Sequence, residues 1–263
     1  MELTYSSYLK IEELINLQEL KSVPNEHDEM LFIVIHQAYE LWFKQILHEV
    51  DYLKSLLSKN EIIRSQHTLK RITTILKVLV HQIDILETMT PLEFLSFRDY
   101  LESASGFQSA QFRELEFVLG YKNSNVFKRF ENDPSPLSRL QKRYNESTLW
   151  DAFIIYLNNN SYPIPNDFLN RDVTKNIEAN SDIQNILIDI YNNSPIISQF
   201  CELLLDFDEG LQEWRYRHIK MVERTIGAKI GTGGSAGADY LKSTIFKPVF
   251  PDMWAIRSEF KKL

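Results

Sequence analysis

Apolar residues along this chain recur every three or four positions, the spacing that gathers them on one side of an α-helix. From Asn25 to Asn60 no Gly or Pro interrupts the pattern, and Leu31, Ile35, Ala38, Trp42, Ile46, Leu53 and Leu56 keep to one stripe. A helix of that length spans on the order of 50 Å. From Leu69 the series Ile72, Leu76, Leu79, Ile83, Leu86 predicts a second long helix packed lengthwise on a neighbour. Thr90, Pro91 and Glu93 read as a helix start, with Thr at the N-cap, Pro at the first helical position and Glu placed for a capping box. A short helix through Phe94, Phe97 and Leu101 is expected to follow, broken at Gly106, and Phe107 to Leu119 predicts another that stops at Gly120. Ser194 and Pro195 repeat the start signal for a helix expected to reach Gly227, with Gly210 its one weak point. Its seam is Phe200, Leu204, Phe207, Leu211, Trp214, His218, Met221 and Thr225, so a histidine takes a core position.

Residues 158 to 193 differ in kind: ten are Asn, and Pro163 and Pro165 break the apolar pattern, which predicts short helices joined by surface loops. Neither an internal repeat nor an alternating strand pattern is evident. The expected architecture is an all-α helical bundle forming one domain over residues 1–263. Composition agrees: with 8 Gly and 9 Pro in 263 residues, turn-dense all-β and disordered designs are disfavoured. Aromatic content of 12% implies a large core or an aromatic-lined pocket. A net charge of -7 repels a phosphate backbone, so no nucleic-acid partner is expected. The single Cys201 rules out an internal disulfide framework and a Cys-based zinc cluster, and a reducing cytoplasmic compartment is the expected home. Charged residues among the first twenty leave no apolar signal region, and the longest uncharged run, 152 to 166, is interrupted by three Asn. No secretory signal and no membrane span are therefore expected, a span needing about 20 apolar residues.

Two of the six histidines fall in apolar helical surroundings. His36 has Phe32 one turn before it and Phe43 two turns after, and His218 lies on the seam of the last long helix. A core histidine bonded to a neighbour is the ordinary explanation for one such residue, whereas two on the longest helices point to a shared buried site. No histidine has a Glu three residues before it, and His48-Glu49 lacks a second His in the zinc-protease position. An imidazole from one helix facing a second across an apolar pocket suits a haem iron. Five of the eight glycines lie between Gly227 and Gly237. A helix precedes them and the phosphate-loop Lys is missing, so the loop reads as one whose backbone, with the Thr232 hydroxyl, approaches a ligand. Arg98, between Phe97 and Asp99 in an aromatic turn, suits either a snorkelling surface role, a pairing with Asp99, or a two-pronged clamp on a small carboxylate. The basic residues Arg215, Arg217, Lys220 and Arg224 are explained by the helix dipole and a Glu213 to Arg217 pairing. The residues alone leave open a cofactor-free scaffold with structural histidines.

Six separated strings go further. His27-Asp-Glu-Met-Leu-Phe32-Ile-Val-Ile-His36-Gln37, Glu40-Leu-Trp42, Phe97-Arg98, Ser103-Ala-Ser105-Gly106-Phe107-Gln108-Ser109, Trp214-Arg-Tyr-Arg217-His218 and Gly231-Thr232-Gly233-Gly234 together resemble the tryptophan 2,3-dioxygenase family, in its order and with similar separations. The resemblance runs from Leu3-Thr4-Tyr5 to the glycine loop, and the Asn-rich segment carries none of it. It implies a haem-dependent, all-helical homotetramer, with one haem b per subunit held between long helices. The implied reaction is cleavage of the indole C2–C3 bond of L-tryptophan by O2 to N-formylkynurenine, the first step of the kynurenine route. By position, His218 is implied as the axial iron ligand and His36 as the distal histidine near the indole N–H, with Phe32 packing on the ring. Arg98 is implied to hold the substrate carboxylate and Thr232 the ammonium group, and Tyr5 and Tyr8 to reach a neighbouring subunit's site. Phe94, in the substrate-binding set, and Phe112 stand where some members carry Tyr. Because indole N–H is a very weak acid, His36 is assigned to hydrogen bonding and orientation rather than to proton abstraction.

Overall fold

Local side-chain caps set the starts of several of the shorter helices. Thr90 and Glu93 close a capping box, Thr90 N–H donating to Glu93 Oε2 at 2.7 Å and Glu93 N–H to Thr90 Oγ1 at 3.4 Å. Ser109 accepts from Phe112 N–H, and a second box joins Thr148 to Asp151. This computed structural model describes residues 3–102, 104, 106–227, 242 and 244–260. Its helices are α1 (Tyr5–Leu9), α2 (Ile11–Leu14), α3 (His27–Ser58), α4 (Ile62–Leu86), α5 (Pro91–Arg98), α6 (Ala110–Val118), α7 (Pro134–Asn145), α8 (Leu149–Asn159), α9 (Asn166–Leu169), α10 (Ser181–Asn193) and α11 (Pro195–Ile226), then a short helix Pro251–Ala255. No strand occurs among the described residues, so the all-α expectation holds.

Three long helices make the frame: α11 packs along α4, and α4 along α3. The α4 seam is buried as read, from Leu69 and Ile72 through Leu79 to Ile83. Gly210 on α11 makes room for Leu76 of α4, since a Cβ there would sit 3.0 Å from Leu76 Cδ2. One apolar cluster carries side chains from α3, α4, α5, α6, α8, α10 and α11, and Val126, Phe130, Phe117 and Leu140 form a smaller one beneath α7.

Several expectations need correction. Of the expected α3 stripe, Ile35, Ile46, Leu53 and Leu56 are buried, but Leu31, Ala38 and Trp42 are only half-buried and Tyr39, Phe43, Val50 and Leu57 join the buried face instead. The inward face is turned by about one residue because its N-terminal half faces aromatic side chains of α11 and α6 rather than an aliphatic seam. The helix after Gly106 begins at Ala110, not Phe107, because Ser109 caps it and residues 106–108 form a separate 3-10 turn. Arg217 does not pair with Glu213; it reaches Asp84 at 2.5 Å and Glu87 at 3.3 Å across on α4, two carboxylates in place of one weak pair on its own helix. Arg215 is only 4% exposed and belongs to the interior.

Gly120 ends α6 at φ +101, and a Cβ there would lie 2.3 Å from Ile177 Cδ1. Gly120→Ala is therefore expected to cost about 2 kcal/mol or more, a fall of roughly 5 °C in Tm for a chain of this size. Gly106→Ala, with no described atom within 4 Å of the added carbon, serves as the control in the same calorimetric scan.

Candidate active site

Four helices bring their aromatic and charged residues to one cavity of about 210 Å³. From α3 come Phe32, His36, Tyr39 and Glu40; from α5, Phe94 and Arg98; from α6, Phe112, Arg113 and Glu116; from α11, Trp214, Arg215, His218 and Thr225. These side chains lie up to some 190 positions apart in sequence, and they are assembled by the packing of α3 on α5 and α6, of α5 on α11, and of Phe43 and Phe112 on Trp214. Aliphatic walls are supplied by Ile83, Leu86 and Val222, with Met89 and Met221 beside them.

His36 is held in one orientation. Its Nδ1 lies 2.7 Å from the Phe32 carbonyl oxygen, an atom that can only accept, so the Nδ1 carries the proton and Nε2 keeps a lone pair. Burial lowers its pKa from the ordinary histidine value, against opposing pulls from the Phe32 carbonyl and the charge of Glu40, and the ring is neutral at pH 7. Phe32 packs on the imidazole at 4.1 Å between centroids and continues to Phe97 at 5.5 Å and Phe94 at 5.9 Å, a wall of flat apolar faces. Arg98, at the last turn of α5, is half-buried and borders this wall.

His218 is different. It is half-buried with the cavity on its open side, and it makes no hydrogen bond to a described residue. Burial, then the nearby His36 and Arg113, push its pKa down to about 4, leaving a neutral imidazole with an available lone pair. Trp214, one turn earlier, stacks on it with centroids 5.2 Å apart and planes 3° from parallel. The indole Nε1 of Trp214 is buried beside Tyr39 and meets the hydrogen-bond criteria with no described residue.

Comparison with known proteins decides the family. A family model described as tryptophan 2,3-dioxygenase matches residues 1–153 and 166–260. A tryptophan 2,3-dioxygenase of Herpetosiphon aurantiacus is 61% identical over 257 residues, covering 98% of both chains. One from Anaeromyxobacter sp. is 47% identical over 255 residues, 97% of this chain and 95% of its own, and one from Bacillus anthracis is 40% identical over 260 residues, 98% and 92%. The chain belongs to the tryptophan 2,3-dioxygenase family. The family model also matches 166–193, most of the Asn-rich segment in which sequence strings alone showed no resemblance, and it passes over only 154–165 and 261–263.

Members of this family depend on haem, and the cavity suits one. It offers a neutral imidazole on an apolar wall, His218, with no hydrogen bond to a described residue, which suits a single protein ligand to a haem iron. No cluster of three His, Cys, Asp or Glu able to hold a bare metal ion occurs among the described residues. Of the residues singled out from the tryptophan 2,3-dioxygenase resemblance, Phe32, His36, Phe94, Arg98 and His218 meet at this one cavity. Tyr5 and Tyr8 do not line it; they stand 77% and 70% exposed on α1. Thr232 and the glycine loop lie outside the described residues.

Sequence reading missed the charged floor of the cavity. Arg113 donates to Glu116 at 2.5 Å, Arg215 lies 3.9 Å from the other Glu116 oxygen, and all three side chains are buried. Arg215 also donates to the Thr244 and Lys247 carbonyls at 3.4 and 3.3 Å, tying residues after the glycine loop to α11. The available signal was the Arg113 and Glu116 spacing of three on a helix whose neighbours Phe117, Val118 and Leu119 are apolar throughout.

Proposed function

We propose that this chain cleaves the indole C2–C3 bond of L-tryptophan with O2, both oxygen atoms entering N-formylkynurenine, the opening step of the kynurenine route of tryptophan catabolism. The observation that carries the reading is the meeting of a locked distal-type histidine, an unpartnered imidazole and a half-buried arginine around one aromatic cavity in a chain of this family. The test is purified, haem-supplied protein incubated with L-tryptophan in air. N-formylkynurenine should form with equal consumption of O2, and haem-replete protein that leaves tryptophan intact would overturn the reading.

His218, with its neutral imidazole on the cavity wall, is the residue that would hold the iron of one haem b per subunit. When bound, haem supplies the ferrous iron that activates O2 towards the indole ring. The rest is done by side chains that bind and orient. The indole lies against Phe32 and Phe94, its N–H donating to the Nε2 lone pair of His36. Arg98 clamps the carboxylate with two parallel N–H donors, and Thr232 receives the ammonium group. A neutral imidazole cannot readily strip so weak an acid as indole N–H, so His36 acts catalytically by fixing the reacting ring in place.

That role gives His36→Ala a distinctive result. Haem should stay bound while kcat/KM for tryptophan falls about tenfold, the worth of one hydrogen bond to a positioned ring. With 1-methyltryptophan, which has no N–H to donate, native and variant proteins should differ little. Complete loss of tryptophan turnover with normal substrate binding would mean that His36 transfers a proton instead.

We further assign Tyr5 and Tyr8 to a neighbouring subunit's site in a homotetramer. The support is α1 itself: a helix capped at Thr4 yet burying none of its residues, with Leu3, Tyr5, Tyr8 and Leu9 exposed. Deleting residues 1–8 should raise the KM for tryptophan at least about tenfold with haem retained. A truncated protein that is monomeric and fully active would remove the shared-site assignment. The chain is read as one domain over 1–263 in the cytoplasm, in keeping with a single cysteine, Cys201, that is free and buried. No helix among the described residues is long and apolar enough to cross a membrane.

A further inference from the structure

Resting on His218 as the axial ligand, we propose that Trp214 is the positioning residue that sets the plane of the His218 imidazole. A histidine ring turns about a broad, two-fold torsion and needs something to stop it. A ligating histidine is usually stopped by a hydrogen bond from its second ring nitrogen to a carbonyl or carboxylate. His36 has such a bond, to the Phe32 carbonyl at 2.7 Å; His218 has none to any described residue. What His218 has is a flat face one turn away, parallel within 3° at a centroid distance of 5.2 Å. Turning the imidazole out of that plane drives its edge into the indole.

A ring can serve as a stop only if it is itself fixed. Trp214 meets Phe43 edge-on at 6.0 Å and 89°, Tyr39 at 6.3 Å and 62°, and Phe112 at 5.0 Å and 45°. Tyr39 is anchored in turn, its hydroxyl donating to the Leu79 carbonyl on α4 at 2.8 Å. Rigid contacts thus run from α3, α4 and α6 through the indole to the imidazole. The stack fixes direction without drawing off a proton, so the ligand keeps the character of a neutral imidazole, unlike one bonded to a carboxylate.

The experiment compares holoenzymes carrying Trp214→Phe, Trp214→Leu and Trp214→Met, with His218→Ala as reference and helical circular dichroism as the check on folding. Two readouts are taken: the iron–histidine stretching band of the anaerobic ferrous protein by resonance Raman, and the rate of haem transfer to excess apomyoglobin. Trp214→Phe keeps a flat face and should keep a narrow band and near-native transfer. The leucine and methionine variants should broaden or split the band and release haem roughly three- to tenfold faster, the scale of one lost aromatic pair. A folded leucine or methionine variant with a native band and native transfer would overturn the proposal, as would a phenylalanine variant that behaves like them. If His218→Ala itself shows the band and native haem retention, the axial assignment fails, and the role of Trp214 fails with it.

Discussion

His218→Ala is expected to give a folded protein that no longer retains haem. The side chain makes no hydrogen bond to a described residue, so its removal leaves the α11 packing intact at Phe207 and Leu211 and takes from Trp214 only its stacked neighbour. What it removes is the unpartnered neutral imidazole at the cavity, and no other histidine lies within a turn of it on α11. Changes to groups that merely support a metal ligand cost ten- to a hundredfold in affinity, so loss of the ligand itself should weaken haem binding by at least about a hundredfold. The check is the haem-to-protein ratio after gel filtration. Added imidazole should restore much of the binding, because the truncation opens a space of that shape beside Trp214. Full haem occupancy and an unchanged ferrous spectrum in the variant would place the ligand elsewhere, with His36 the remaining histidine of the cavity.

Arg98→Ala should lower kcat/KM for tryptophan by at least about thirtyfold. A two-pronged guanidinium–carboxylate pair in a partly dry cavity is worth on the order of 2 to 5 kcal/mol when one partner is removed, and part of that is the cost of burying the carboxylate unpaired. At 1.4 kcal/mol per decade the lower end already gives the thirtyfold. Arg98→Lys should not recover it, since an ammonium lacks the planar fork. Tryptamine, which has no carboxylate, should react almost equally poorly with native and Arg98→Ala protein. A large additional loss on tryptamine would show that Arg98 supports the fold or the haem rather than the substrate.

Much of this was legible from sequence wherever the physics is local. Thr90, Pro91 and Glu93 announce α5 because a capping box needs only residues three apart, and at α11 the local signal is Pro195 in the first turn, since the Ser194 side chain makes no cap bond. The box at Thr148 and Asp151 is equally local and went unread, leaving α8 without a predicted start. The rotation of α3 could not be seen, because Tyr39 and Phe43 turn inward only to meet Trp214 about 175 residues later. Arg217 was misassigned for the same reason: its partners, Asp84 and Glu87, are reached only once α11 lies against α4. At the site, the family strings pointed to His36, Arg98 and His218, and packing then gathers them around one cavity. The buried Arg113, Glu116 and Arg215 escaped because charged residues on a helix ordinarily face water.

One anaerobic absorption spectrum of the ferrous, haem-supplied protein, recorded with and without L-tryptophan, tests most directly whether a single cavity holds haem through His218 and tryptophan through Arg98. The expected result is a Soret band typical of five-coordinate ferrous haem that shifts saturably on adding L-tryptophan. In Arg98→Ala the same band should need much higher tryptophan to shift. No Soret band, or one indifferent to tryptophan at any concentration, would contradict the shared site.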